Sequence, residues 1–521
     1  MLADLRRIQT KQIDADLCII GAGAAGMTLA RAFIGSGVRV CLLESGGFEH
    51  EEATQALYDG EDTGYRQLYD VGKSRLRFFG GTTNHWVGHC APLTEIDFET
   101  RPWVPYSGWP IKKAALDPYY APAQALCELG TDSFDLASFS DIHPDLPPFD
   151  TAKFSPRVWH LSPPTRFGKK YRDELVNAVN IAIYLNANVT ELETDKDVSR
   201  IVGATVKTLT GEQTRVVAHN YVLACGGIEN ARILLLSNRS APRGLGNDHD
   251  LVGRFYIDQL RCEEAAFVVA ENNRLFDTMV GGFRKNGLGF EAMLGPSRAT
   301  QERHETLNWV AEFETMRATS DWALSMYHLK NLLQTGRWPA DLGHDIWAVI
   351  THLDAVGKDI YQRQTARPLS ILARCEVAPD PESRITLTTE RDALGQNKVR
   401  RHLRVTLREK HTLRSAMRSI GEELGRIGAG RVRLADWLLA DNDEWPRPEQ
   451  QYAGVHHIGT TRMAADPAHG VVDRDCRVHG IANLYVGGSS VFPTAGYAHP
   501  TLSIVAMALR LADHLKERLP R

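Results

Sequence analysis

The chain lacks the features that mark many metal-binding, secreted and membrane proteins. Its eight cysteines are scattered through 521 residues, and no two form a Cys-x-x-Cys pair. This argues against iron–sulfur and structural zinc motifs and favours reduced thiols over a disulfide framework. No apolar run reaches the ~18 residues that cross a bilayer, and the first residues lack the apolar run of a signal peptide. We therefore expect a cytoplasmic protein with no metal site and no membrane span.

The chain also lacks a strong charge of either sign. The chain has 60 lysines and arginines and 64 aspartates and glutamates, which gives a net charge of −4. Such a balance gives no reason to expect nucleic acid or an anionic membrane as a partner. There is no internal repeat or low-complexity tract. At this length, with 43% hydrophobic residues, the chain should form at least two globular domains.

The first fifty residues carry a dinucleotide-binding pattern. A buried parallel strand is predicted over 14–20, followed by an apolar helix from Ala24 to Ile34. Gly21 permits the tight turn between them, Gly23 lets a pyrophosphate approach the backbone, and Gly26 lets the helix pack on the strand.

A second strand, 38–43, ends in Glu44, eighteen residues past Gly26. A carboxylate there can accept hydrogen bonds from both ribose hydroxyls and would repel a 2′-phosphate, which argues against NADP. The loop alone leaves FAD and NAD open. A second glycine fingerprint is absent, because Gly428-Ala429-Gly430 follows a helix pattern and has Arg433 where the third glycine would fall. The pattern therefore predicts one bound dinucleotide.

The stretch from Arg77 to Gly88 is the next informative segment. Paired glycines and two threonines expose backbone N–H groups and hydroxyls, and a histidine and a tryptophan follow them. This stretch resembles the flavin-contacting motif of the glucose–methanol–choline (GMC) oxidoreductases, especially the pyranose 2-oxidase-like and sugar dehydrogenase branch.

The resemblance continues in order along the chain. Similar segments are the strand around Val189, the strand, turn and helix 221–232, Leu251-Val252-Gly253-Arg254, Gly459-Thr460-Thr461-Arg462-Met463, Gly487-Gly488-Ser489 and 493–501. The family usually has Asp-His near 258; here Asp258 is followed by Gln259, and we assign that position no role.

The resemblance implies bound FAD. The implied contacts are Gly21, Gly23, Ala25, Gly26, Glu44, Gly81, Thr82, Thr83, Asn84, His85, Trp86, Val189, Gly488, Pro500 and Thr501. In pyranose 2-oxidases the histidine matching His85 carries the flavin covalently. Because Asn84 replaces the small hydroxyl residue common before it there, we expect noncovalent FAD.

Two histidines near the other end of the chain are the catalytic candidates. A hydride can leave an alcohol carbon only as the hydroxyl proton departs, which calls for an imidazole base facing the cofactor. The resemblance implies that His456 takes this proton while hydride moves to flavin N5, and that His499 holds the substrate oxygen. His457 should point the opposite way in an extended segment. Pro500 begins a helix, Thr501 to Leu511, whose N-terminal end would stabilise negative charge on the reduced flavin.

The fold class expected is α/β, a doubly wound parallel FAD-binding domain with an inserted α+β substrate domain on an antiparallel sheet. The expected segments are 1–100, 181–262 and 451–521 for the FAD domain, 101–180 for a lid or connection, and 263–450 for the substrate domain. Within the insert, strands are predicted over 383–389 and 399–405, with a turn at 392–395 and a helix from Glu409 to Ile427.

The expected function is oxidation of a CH–OH group, most of all a ring hydroxyl of a sugar or glycoside. The alternatives are a non-sugar alcohol or natural product, a non-redox lyase of the same family, and an NAD-dependent dehydrogenase. Because no haem motif, iron–sulfur cysteines or second nucleotide loop is found, electrons should pass to a diffusible acceptor: a quinone, a redox protein or oxygen. A dehydrogenase is slightly favoured over an oxidase.

Overall fold

The computed structural model describes most of the chain: residues 1–65, 69–142, 147–270, 279–315, 342–354, 368–445, 451–453 and 456–519, with the single positions 276, 325 and 329. The expected substrate domain falls partly outside them, since 316–324, 330–341 and 355–367 are not described.

A mixed sheet with a parallel centre carries the nucleotide loop. Across the described part of this sheet the order is Leu2–Asp4, Ile181–Leu185, Val40–Leu43, Gln12–Ile20, Gln213–Leu223, Ile201–Lys207 and Asn188–Thr194, and Leu484–Val486 also pairs with Gln213–Leu223. The first five strands are parallel, and so is Leu484–Val486. The last two are antiparallel. The expected α/β class is confirmed.

The burial of the first long strand explains why it lies at the centre. In Gln12–Ile20 burial alternates at first, and the last four residues are then all buried. Such a continuous apolar run suits a parallel strand that is covered on both faces. The helices Ala24–Ala32 and Thr501–Lys516 pack against each other, so the first and last segments of the chain share one layer.

An antiparallel sheet forms the second layer. Its order is Gly430–Leu434, Gln259–Ala270, Pro368–Glu376, Trp309–Thr315, Leu288–Pro296, Phe154–Leu161 and His89–Cys90, with Gly282–Lys285 beside Leu288–Pro296 and Gln451–Ala453 beside Gln259–Ala270. Two of these strands, Phe154–Leu161 and His89–Cys90, come from before residue 263. The domain boundaries themselves stay predictions.

A three-stranded sheet joins the two parts of the chain. The strands Arg384–Arg391 and Asn397–Leu403 pair antiparallel, and Gly60–Gly64 runs parallel to the second. The predicted turn is confirmed: the carboxylate of Asp392 accepts from the backbone N–H groups of Leu394 and Gln396.

The described α-helices are mostly short. They are Ala24–Ala32, Glu52–Gln55, Glu95–Phe98, Asp117–Leu126, Phe167–Lys170, Arg172–Asn177, Gly226–Leu236, Arg298–His304, Leu342–Thr351, Leu407–Arg426, Asp436–Leu439 and Thr501–Lys516. The longest begins with a capping box, in which Thr406 and Glu409 satisfy each other's backbone N–H groups. None of the helices in the described ranges combines the length and apolar character needed to cross a membrane. Within the same ranges no three His, Cys, Asp or Glu side chains gather as a metal site, and all eight cysteines are free thiols.

The contact between the strand Gln12–Ile20 and the helix Ala24–Ala32 depends on Gly26. A Cβ added there would lie 1.9 Å from the carbonyl oxygen of Gly21. We therefore expect Gly26→Ala to lower the free energy of unfolding by about 1–3 kcal/mol or more, the usual cost of over-packing. The measurement is a lower Tm.

Gly425→Ala is the matched control, because a Cβ at this helical glycine meets nothing within 4 Å. Alanine is favoured over glycine in a helix by about 0.8–1 kcal/mol, so the control should melt at the same temperature or higher. Equal Tm values for Gly26→Ala and the wild type would contradict the packing role.

Candidate active site

The glycine loop lies at the carboxyl end of the strand Gln12–Ile20. Gly21 adopts φ +102°, which favours glycine, and the chain turns directly into the helix Ala24–Ala32. No side chain caps that helix at Gly23. Its first N–H groups therefore face the cleft above the sheet, an arrangement that suits a phosphate group.

Glu44 is held firmly beside this loop. It follows the strand Val40–Leu43, and its carboxylate accepts from the backbone N–H of Ala22 at 2.9 Å and from that of Gly46 at 3.0 Å. The side chain borders the cleft although the residue is only 5% exposed. Its Oε1 also accepts from the hydroxyl of Ser45 at 3.3 Å, whereas Oε2 retains a lone pair that can accept from a ribose.

One long cleft brings most of the predicted residues together. Those on its wall are Gly21, Gly23, Ala25, Glu44, Gly81, Thr82, Thr83, Trp86, Val189, His456, Gly488, Pro500 and Thr501. Four others do not line it: Gly26 packs below the loop, Asn84 binds the carbonyl oxygens of Phe79 and Gly81, His85 is exposed, and the ring of His499 lies beside that of His456.

A group of buried ion pairs also borders the cleft. The carboxylate of Glu229 lies 2.9 Å from Arg75, 3.3 Å from Arg77 and 3.4 Å from Arg232, and Arg232 reaches Asp392 at 2.7 Å. Burial alone would raise the pKa of Glu229, but the three guanidinium groups outweigh it and hold the pKa at about 2. The sequence analysis gave these ion pairs no role. The signal that could have indicated them is the position of Arg75 and Arg77 directly before the apolar pair Phe78-Phe79, which suggests buried cations.

His456 and His499 meet at the other end of the cleft, with ring centroids 4.5 Å apart. The backbone N–H of His456 donates to Asp258 at 2.9 Å, and its ring Nδ1 lies 3.0 Å from Gln259 Oε1. His457 also borders the cleft, but its ring turns to Ser74, with Nε2 and Oγ 3.2 Å apart.

Both rings are held neutral. Burial, then the nearby positive charge of Arg374 and the neighbouring His89, lowers the pKa of His456 to about 3. Burial also drives the pKa of His499 well below its ordinary value, with His456 and Arg374 adding to the effect. A neutral imidazole keeps a lone pair that can accept a proton.

Side chains of the antiparallel sheet surround this pair and were not foreseen. The His499 ring lies 4.9 Å from that of Trp159 and 5.6 Å from that of His89. Arg374 lies 3.4 Å from His499 Nε2 and binds Glu312 at 2.8 Å. Trp159, His89, Arg374 and Glu312 come from four separate strands, so no local motif in the sequence could reveal them.

The donor set of the cleft fits FAD. At one end an uncapped helix N-terminus and the carboxylate of Glu44 suit a pyrophosphate and a ribose. The second helix, Thr501–Lys516, also starts without a side-chain cap, and its first residues line the same cleft near His456. Its N–H groups suit the side of a flavin ring that becomes negative on reduction.

The fold and this cleft define a dinucleotide-binding oxidoreductase, and comparisons with known proteins make the class more specific. A family model described as GMC oxidoreductase matches residues 379–508, and one described as FAD dependent oxidoreductase matches 16–243. These matches support a GMC oxidoreductase. The chain is an FAD-dependent oxidoreductase that acts on alcohol groups, as expected from the sequence.

Two distant relatives match over nearly their whole length. The fructose dehydrogenase large subunit of Gluconobacter japonicus is 23% identical, over 97% of this chain and 98% of that protein. The 6'''-hydroxyparomomycin C oxidase of Streptomyces lividus is 26% identical, over 96% and 92%. Among solved structures, pyridoxine 4-oxidase from Mesorbium loti aligns with a TM-score of 0.53 and 18% identity, over 96% and 99%. At that identity the structural match supports the fold alone.

Replacing Glu44 should weaken the hold on FAD. Glu44→Arg removes the ribose acceptors and the acceptor for two backbone N–H groups, and it reverses the local charge. The loss of one hydrogen bond to a charged group is worth about 1.5–3 kcal/mol, so retention should fall at least ~10-fold. FAD absorbance after gel filtration and dialysis measures it. The control is Glu191→Arg, which makes the same charge reversal at a residue outside the cleft lining. Equal FAD retention in both variants would contradict the assignment.

Proposed function

We propose that this enzyme oxidises a secondary ring hydroxyl of a sugar or glycoside, with His456 as the base that takes the hydroxyl proton. The carrying observation is the position of His456 on the cleft wall, paired with His499 at 4.5 Å between ring centroids. The fructose dehydrogenase relative supports a sugar, since its name gives a sugar as its substrate.

His456 suits a general base because it is neutral. With a pKa lowered to about 3, its ring stays unprotonated through the pH range in which most enzymes work. The proton leaves the substrate O–H and a new N–H bond forms on the imidazole. Bound FAD supplies the hydride acceptor for the alcohol carbon. His499, packed between His456 and Trp159, orients the substrate oxygen.

The surface around the two histidines supports a substrate with several hydroxyl groups. His89 pairs with Glu291 at 2.8 Å, and Arg374 pairs with Glu312 at 2.8 Å. These four side chains remain 12–31% exposed, so they can still exchange hydrogen bonds with a ligand. A pyranose ring offers several hydroxyl donors and acceptors on its edge, which suits such polar side chains.

The central prediction concerns His456→Ala. The variant should bind FAD as the wild type does, yet its flavin should be reduced by substrate ~10²–10⁴-fold more slowly, the usual contribution of a general base. His499→Ala should lose less, because this residue orients rather than abstracts. Anaerobic stopped-flow measurement of flavin bleaching gives both rates.

His411→Ala, a change at an exposed histidine outside the cleft, is the control. Near-normal flavin reduction in His456→Ala would remove this residue from the catalytic role.

The pH dependence of flavin reduction gives a further prediction. In the wild type the rate should show no inflection from protonation of His456 above about pH 5, because the pKa of this ring in the folded protein is far lower.

We also propose that FAD is held without a covalent bond. His85 is exposed and does not border the cleft, whereas Trp86 next to it does. Acid precipitation should leave a colourless pellet and a yellow supernatant. A yellow pellet would show a covalent link.

The substrate class can be tested in one experiment. The enzyme is mixed anaerobically with free pyranoses, glycosides and simple alcohols, and oxygen or a quinone is then admitted. We expect a carbohydrate to bleach the flavin and a quinone to restore its colour faster than oxygen. Bleaching by simple alcohols alone would replace the sugar by a non-sugar alcohol. Turnover of an added hydroxynitrile without any bleaching would indicate the lyase alternative.

A further inference from the structure

Gln259 lies between the two segments that carry the histidines. It is 3% exposed and begins the antiparallel strand Gln259–Ala270. Its side chain contacts the ring of His456 on one side and the loop before His499 on the other. The sequence assigned this position no role.

The two ends of the Gln259 amide can be told apart by their partners. One end lies 2.7 Å from the carbonyl oxygen of Gly496 and 2.9 Å from that of Ala498. Carbonyl oxygens only accept hydrogen bonds, so this end must be the NH₂ group, Nε2. The other end, Oε1, therefore faces Nδ1 of His456 at 3.0 Å.

This orientation determines which nitrogen of His456 carries hydrogen. The amide oxygen can only accept, so Nδ1 must donate to it. A neutral imidazole has a single N–H. The hydrogen on Nδ1 leaves Nε2 with a free lone pair, and Nε2 is the nitrogen that can receive a proton from the substrate.

We propose that Gln259 is a positioning residue that holds His456 in the tautomer protonated at Nδ1, and that the same amide ties this ring to the loop carrying His499. The inference rests on the proposed function, in which His456 is the base. The step at this residue is a proton transfer: the O–H bond of the alcohol breaks and an N–H bond forms at Nε2. The C–H bond of the same carbon would break as the carbonyl forms, and FAD, when bound, would supply the hydride acceptor.

An amide and a carboxylate would act differently in this position. A carboxylate at Nδ1 would favour the imidazolium form and raise the pKa of the ring, whereas a neutral acceptor selects the tautomer without that effect. The other titratable groups around His456 are Arg374, His89 and His499 on the ring side, Glu312 paired with Arg374, and Asp258 on its backbone N–H.

The direct test is ¹⁵N NMR of protein labelled at histidine, with His456→Asn used to assign the signal. In the wild type, Nδ1 of His456 should be protonated and Nε2 bare. In Gln259→Met the acceptor is lost, so the ring signals should shift towards a mixture of tautomers. The rate of flavin reduction should fall at least ~10-fold, within the range known for a wrong histidine tautomer. The substrate Kd should change less than about threefold.

Thr494→Val separates this role from simple anchoring of the loop. Thr494 binds the carbonyl oxygen of Asp97 at 2.7 Å and accepts from Trp109 at 2.9 Å. The variant should lower Tm while the His456 tautomer stays as in the wild type.

A wild-type ring protonated at Nε2 would overturn the inference, even if no variant folds. So would Gln259→Met with unchanged ring signals and an unchanged rate. If His456→Ala still reduces its flavin, the proposed function itself fails. If only Gln259→Met behaves as the wild type, the Gln259 inference fails alone.

Discussion

The architecture depends on the pairing of one central strand with both the beginning and the end of the chain. Within Gln213–Leu223, Leu223 is in register with Ile20 on one side and with Val486 on the other. All three strands are parallel, so their carboxyl ends open at one edge of the sheet. Ligands bind at such edges in open α/β sheets. This pairing places the glycine loop, Gly488 and the helix after Pro500 around one cleft.

Buried charge holds the parts of that cleft in place. Glu229, in the helix Gly226–Leu236, pairs with Arg75 and Arg77 and so joins this helix to the segment before Gly80. Arg232 of the same helix also pairs with Asp392, which adds the turn at that residue to the group. A second buried pair, Arg101 with Glu376, contacts the loop before His499, where Glu376 also accepts from the Gly496 N–H at 3.0 Å. Removing one partner of such a pair usually costs about 3–5 kcal/mol, because the other charge stays buried. These groups therefore specify the arrangement of the cleft walls.

The histidine end of the cleft follows a different electrostatic rule. Here burial keeps His456 and His499 neutral, and the hydrogen-bond partner at Nδ1 is an amide. The charged groups nearby, Arg374 with Glu312, are paired with each other on the antiparallel sheet. A ring in such surroundings is unprotonated, and its low pKa makes it a weaker base than a free imidazole. The two sheets thus form different parts of the site. The parallel sheet carries the cofactor cleft, and the antiparallel sheet supplies polar groups near His456 and His499.

The amino-acid sequence by itself determined the local parts of this protein. The strand, glycine turn and helix around Gly21–Gly26, the acidic residue Glu44, the hairpin turn at Asp392 and the helix after Pro500 each depend on residues close together in the chain. Conformational limits and hydrophobic periodicity therefore suffice to predict them. The ordered motifs also identified the family and FAD. Only the tertiary structure showed that Gln259 meets His456, that Arg75 and Arg77 share Glu229, and that Trp159, His89 and Arg374 surround His499. These contacts join residues from separate strands, and their distances are set by the register of the sheets, which no local pattern encodes.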